Sequence, residues 1–124
     1  MPDLQIELLN HTSHKIDLEY LKDTLLFTLR RLNQIDTVSI ELVIVDDQEM
    51  ITLNNKFRHQ NKTTDVLSFE NPNRSIEGEN SLGSIVISYD QANLQAKQAK
   101  LGVNDEINSL VNHGLLHLLG YNHS

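Results

Sequence analysis

His113, His117 and His123 punctuate the C-terminal stretch HGLLHLLGYNH, with Gly120 between the last two. On a helix, residues four apart share a face, so His113 and His117 can bring both imidazoles to one ion. His123 cannot join them if the helix continues. Ten residues of helix rise about 15 Å, whereas a zinc–nitrogen bond is about 2 Å long. The chain must turn back, and Gly120 is where it can, because glycine enters the left-handed conformation without a Cβ penalty. Three histidines without a fourth protein ligand describe an open zinc site, one ion per chain, whose remaining position holds water. Zinc lowers the pKa of such a water to about 7, which makes a nucleophile available at neutral pH. Two unrelated histidines on an apolar helix would explain the pair, but not the glycine and third histidine at these offsets.

The spacing is that of the metzincin motif H-E-x-x-H-x-x-G-x-x-H, with one change: Gly114 stands where those proteases keep a glutamate. That glutamate takes a proton from the metal-activated water and passes it to the leaving amine. Gly114 can do neither. Phosphodiester cleavage depends less on this proton delivery and more on positive charge against a phosphorane-like transition state. Loss of the acid therefore shifts the expected chemistry from amide to phosphodiester, where a metal and an arginine suffice.

Bulk properties set the frame. A chain of 124 residues with 39% apolar residues is expected to be a single domain, residues 1–124, with one core. There are no cysteines, so a zinc site must use nitrogen and oxygen ligands. No apolar run of about eighteen residues is present, and no membrane contact is expected. MPDLQIELLN lacks the basic and apolar regions of a signal peptide, so the expected location is cytoplasmic. The formal net charge of −7 argues against an indiscriminate nucleic-acid binder. Local fields matter more than the mean, however, and NKFRHQNK carries Lys56, Arg58 and Lys62 with no acid among them. From charge alone this is equally a solvated turn or a binding patch.

These groups need elements to hold them. Asp3 to Leu9 alternate as a strand, and Asp17 to Leu32 carry leucines at helical spacing. Val38 to Ile44 alternate again, and Asp46 or Asp47 can cap a short helix bearing Met50, Leu53, Asn54 and Phe57. Val66 to Phe69 reads as a short strand, Glu70 to Asn80 as a polar loop, and Ser84 to Ser88 as a further strand. Asp90 can cap a helix ending at Gly102, and Asn104 or Asp105 a last helix stopping near Gly120. Strands and helices do not alternate cleanly. The expected fold is α+β, a small mixed four-stranded sheet packed by helices, with a metzincin-like metal helix near the C-terminus.

HGLLHLLGYNH resembles the signature H-G-x-L-H-L-x-G-Y-D-H of the YbeY family. LNNKFRHQNKTTDVLSF (Leu53 to Phe69) resembles that family's L-N-x-x-[YF]-R and T-D-V-L-S-F stretches, and LGSIVIS (Leu82 to Ser88) its L-G-D-I-x-I-S strand. Order and spacing agree from about Leu42 onward. The resemblance implies a zinc-dependent endoribonuclease that acts on single-stranded or precursor ribosomal RNA. Its expected roles are ribosomal RNA maturation, ribosome biogenesis and ribosome quality control, alongside the small subunit or ribosome-associated proteins. It implies His113, His117 and His123 as metal ligands, with Arg58 and His113 catalytic. Arg58, Lys56 and Lys62 would contact substrate, the planar fork of Arg58 clamping a phosphate.

Thr64, Asp65 and Ser68 fall on the T-D-V-L-S-F stretch, and Asp65 is expected to hold a turn or fix a histidine tautomer. Asn122 and Ser84 each replace a family aspartate, the second near the strand on the cleft side. The sequence stops one residue after His123, where chain ends fray, so a looser hold on the metal is expected there. His11 and His14 read as capping or surface residues, and His59 as a low-ranking ligand contact. Two rival functions fit fewer of these residues: a zinc peptidase or amidase with Glu70 or Asp65 as base, and a non-catalytic ribosome-assembly factor whose metal staples the C-terminus.

Overall fold

A computed structural model describes residues 3–76 and 78–121. The elements are β1 (Leu4–Asn10), α1 (Leu18–Arg31), β2 (Val38–Val45), α2 (Asp47–Arg58), β3 (Val66–Glu70), β4 (Ser81–Ser88), α3 (Tyr89–Ala99) and α4 (Val103–Leu118). The sheet order is β1-β2-β4-β3. β1, β2 and β4 run parallel, and β3 lies antiparallel on the edge beside β4. This is the expected α+β arrangement with a mixed four-stranded sheet.

Alternation along β2 sorts its side chains onto two faces. Ile40, Leu42 and Ile44, with Ile85 and Ile87 of β4, pack against α1 and α4 through Leu21, Leu25, Leu29, Ile107, Val111 and Leu115. Burial of each such side chain is worth about 1.5–3 kcal/mol. α2 packs on the opposite face. Met50 and Leu53 of α2 pack with Val43, Val45, Leu67, Phe69 and Val86. The remainder of that face is open and polar, lined by Gln5, Glu7, Ser39, Glu41 and Ser84.

The helix starts show where local chemistry overrides a periodicity reading. Asp17 caps α1 by accepting from the Tyr20 N–H, and Asp46 caps α2 by accepting from the Glu49 N–H. α3 starts two residues earlier than expected, because Ser88 rather than Asp90 is its cap, accepting from the Gln91 N–H. Asp90 instead accepts from the Asp47 N–H at 2.8 Å. α3 also stops at Ala99, where Lys100 turns left-handed, rather than at Gly102. α4 begins after Gly102, whose N–H donates to the Asp105 carboxylate, so Asp105 acts from inside the first turn. Asn104 is taken up by the Asp17 N–H. β4 begins at Ser81, with a register shift opposite Ser39 and Ile40.

Gly83 follows that irregularity with φ +137°, and a Cβ there would lie 2.0 Å from the Phe69 carbonyl oxygen. Only glycine lets β3 close on β4 at this point.

A polar seam joins α1 to α4. The Tyr20 hydroxyl donates to Asp105 at 2.7 Å, Asn108 Nδ2 to Thr24 at 3.1 Å, and the Thr28 hydroxyl to Asn112 at 2.6 Å. Directional bonds of this kind fix the rotation of α4 more sharply than apolar contact does. That rotation decides where its histidines point.

Candidate active site

α4 buries Ile107, Leu110, Val111, Gly114, Leu115 and Leu118. His113 lies on its exposed side, and His117, one turn on, is half-buried. The His117 ring is anchored: its Nδ1 is 2.7 Å from Ser68 Oγ. Ser68 sits on β3 in register with Ile85, on the sheet face that α4 covers. With Nδ1–H donating to Ser68 Oγ, Nε2 keeps its lone pair for a metal, the usual arrangement of a ligating histidine. Gly114 faces β4 of the sheet. A Cβ there would lie 3.1 Å from two carbons of Ile85, so the residue after His113 is aimed at the core.

The end of α4 turns as the glycine suggested. Gly120 has φ +94°, its N–H donates to the His117 carbonyl, and the Tyr121 N–H reaches back to the Leu116 carbonyl. This Schellman pair ends the helix and redirects the chain. Arg74, from the loop after β3, adds a cap by donating to the Leu118 carbonyl at 2.6 Å. Asn122 and His123 lie outside the described residues. Among the described residues no three metal-binding side chains come together, so the third ligand belongs to the sequence argument alone.

Arg58 is the last residue of α2 and is exposed; His59 follows it in the left-handed conformation, φ 56°. Phe57 meets Phe69 of β3 edge to face at 5.2 Å, and Lys56 sits 5.3 Å above the Phe57 ring. Phe69 follows Ser68, and successive strand residues point to opposite faces. Edge strand β3 therefore receives His117 from α4 on one side and the end of α2, with Arg58, on the other. Lys56, Arg58 and Lys62 form no ion pair among the described residues.

Several expectations change. The partners that Asp65 shows among the described residues are not histidines. Its carboxylate accepts from Gln95 Nε2 and its carbonyl from the Ser88 N–H, so it holds a turn. The residue that orients His117 is Ser68. Alternation with Val66 puts Ser68 on one face of the strand, but no sequence pattern pairs it with His117. Ser84 is not on the histidine side: its hydroxyl donates to Glu41 at 3.1 Å on the open face. His11 and His14 are surface residues as expected: His11 pairs with Glu49, and His14 stacks on Tyr89 with ring centroids 3.9 Å apart.

Sequence reasoning passed over Asp47 altogether as a site residue. Its carboxylate accepts from Thr63, Ser88 and Gln91. Burial on its own pushes this carboxyl up, but the bonds from Ser88, Thr63 and Gln91 together outweigh it and hold it below the usual range.

This domain, a mixed sheet with a histidine-bearing helix at its C-terminal side, has the fold of a solved protein. The solution structure of TM1509 from Thermotoga maritima superposes with a TM-score of 0.66 and 28% identity, over 97% of this chain and 75% of that one. The sequence profile described as Endoribonuclease YbeY matches residues 6–124. Relatives named Endoribonuclease YbeY include that of Nautilia profundicola, 44% identical over 92% of this chain and 75% of the relative. That of Nitratiruptor sp. is 41% identical over 99% and 79%, and that of Aliarcobacter butzleri 41% over 95% and 79%. The chain belongs to the endoribonuclease YbeY family.

Proposed function

We propose that the chain is a single-strand-specific, metal-dependent endoribonuclease of ribosomal RNA maturation, with one zinc ion held by His113, His117 and His123. The observation that carries the reading is the Ser68–His117 hydrogen bond, which presents Nε2 of a helix-borne imidazole from a fixed ring. The donor set fits zinc: imidazoles one helical turn apart and a chain reversal behind them, in a sequence with no thiol. When bound, zinc supplies a Lewis acid for a phosphoryl oxygen and lowers the pKa of water to about 7.

The protein groups do the rest. Arg58 offers a planar donor fork to the phosphodiester and stabilises charge as it develops. Lys56 and Lys62 hold neighbouring phosphates. Of the possible peptidase bases, Asp65 is occupied by Gln95, and Gly114, which faces Ile85, has no carboxylate to offer. We place the enzyme in the cytoplasm, acting on precursor ribosomal RNA with the small subunit or ribosome-associated proteins, in ribosome biogenesis and quality control. No helix among the described residues is long and apolar enough to cross a membrane.

The test is the metal content of the purified protein together with cleavage of a single-stranded RNA by wild type, Arg58→Ala and His117→Ala. Zinc near one per chain is expected, with kcat/KM down about 100-fold or more for Arg58→Ala, the usual cost of removing one transition-state donor. A 2′,3′-cyclic phosphate product assigns the attack to the 2′-hydroxyl, with the 5′-oxygen as leaving group. Metal-stripped His117→Ala cleaving as fast as the intact protein overturns the reading.

A further inference from the structure

The segment between Arg58 and β3 has no regular secondary structure and bears Lys62, yet it is tied down at both ends. Asn54, on α2 and only 2% exposed, donates from Nδ2 to the Lys62 carbonyl at 2.9 Å. Its own carbonyl accepts from the N–H groups of His59 and Gln60. At the far end, the Thr63 hydroxyl donates to Asp47 at 2.8 Å, and Ser88 and Gln95 hold Asp65. A buried amide spent on a loop carbonyl eight residues away is a specific device. Left unpaired, that amide would cost about 1–3 kcal/mol. Arg58 at the end of α2 and Lys62 in the loop have no ion-pair partner among the described residues, in a chain of net charge −7. Unneutralised cations on a fixed backbone form a preorganised anion surface, because the ordering entropy is settled before the ligand arrives.

We propose that Asn54 is a positioning residue for RNA: its buried amide, with Thr63 as second anchor, sets residues 58–62 so that Arg58 and Lys62 meet phosphates of one strand together. The proposal rests on the reading of Arg58 and Lys62 as phosphate contacts. It adds an uncharged residue that governs how many phosphates are met.

Salt dependence separates this role from a purely structural one. For single strands the slope of log K against log salt is about −0.7 for each phosphate neutralised. The experiment measures binding of a fluorescein-labelled, single-stranded 2′-O-methyl oligoribonucleotide by the zinc-loaded protein across a salt series, with melting temperature alongside. Arg58→Ala and Lys62→Ala should each make the slope shallower by about 0.7, since each removes a charge. Asn54→Ala removes none, yet should make it shallower by about 0.7–1.4 and weaken binding about tenfold, as losing one or two contacts does.

Thr63→Val should move slope and affinity the same way by a smaller amount, and Thr63→Ser, which keeps the hydroxyl, should restore both. If Asn54→Ala fails to fold, the Thr63 pair decides. Wild-type slope and affinity in Asn54→Ala, or in Thr63→Val when that pair decides, overturn the positioning role, whatever happens to the melting temperature. Wild-type slopes in Arg58→Ala and Lys62→Ala instead overturn the phosphate-contact reading, and the positioning role falls with it.

Discussion

A serine hydroxyl and a ring nitrogen 2.7 Å apart carry most of the weight at the residue scale. Removing a partner that orients a metal-bound histidine typically costs about 10–100-fold in metal affinity. Ser68→Ala is therefore expected to weaken zinc binding by that factor, read by competition with a chromophoric chelator, with a melting temperature close to wild type when metal is withheld. Ser68→Thr, which keeps a hydroxyl, should recover most of the affinity. Unchanged affinity in Ser68→Ala would mean that the contact is packing alone. The two helical histidines were legible from spacing, because four residues return to one face whatever the tertiary structure. Ser68 was quoted within a motif, but its role was not legible. Which imidazole it meets depends on how β3 lies beneath α4, and no local pattern contains that distance.

At the scale of elements, the sheet's open face explains why Ser84 is tolerated where the family pattern has aspartate. Glu7 and Glu41 are direct neighbours across β1 and β2, and Ser84 donates to Glu41 from β4. Like charges side by side on a sheet destabilise it, and serine replaces a third repulsion with a hydrogen bond. Ser84→Asp is expected to lower stability by up to about 1 kcal/mol in urea unfolding, with the loss shrinking at high salt. An unchanged or raised stability would sink this account.

The junction of α2, β4 and α3 gives a second prediction. Asp47 has a lowered pKa in the folded state, so the unfolded chain binds its proton more readily. Its contribution is fully present above the unfolded value of about 3.9 and is lost as pH falls below that, through the folded value. Asp47→Asn, which turns an amide donor toward three donors, should cost about 1–3 kcal/mol at neutral pH. It should also flatten the acid limb of the stability curve. The elements themselves were legible from periodicity, since burial imposes it. Their ends were not: Ser88, Gly102 and Ser81 mark starts that depend on capping and on a bulge, which a hydrophobic pattern does not record.

On the scale of the whole molecule, metal and fold should be linked. A ligand bound to the native state alone stabilises it by about 2.7 kcal/mol at a hundred times its Kd. Adding a chelator to the zinc-loaded protein should lower the melting temperature by several degrees, and His117→Ala should be insensitive to the same treatment. Equal chelator sensitivity in both would place the ion elsewhere. The fold class was legible because strands and helices that do not alternate cleanly favour a mixed α+β domain over a doubly wound sheet. The two-sided placement of α4 and α2 around β3 was not, because it follows from the β1-β2-β4-β3 order, a property of pairing rather than of any one segment.

Gly114 bears on the history open to such a chain. Glycine and glutamate codons can differ by a single base, so the change toward H-E-x-x-H arises readily in any lineage. Here the Cβ of the new residue would start 3.1 Å from Ile85, so that side chain or α4 would have to give by a few tenths of an ångström before a carboxylate found room. The step is open to mutation, but its packing cost falls on Ile85, so a smaller residue at that position of β4 would ease a route to protease chemistry.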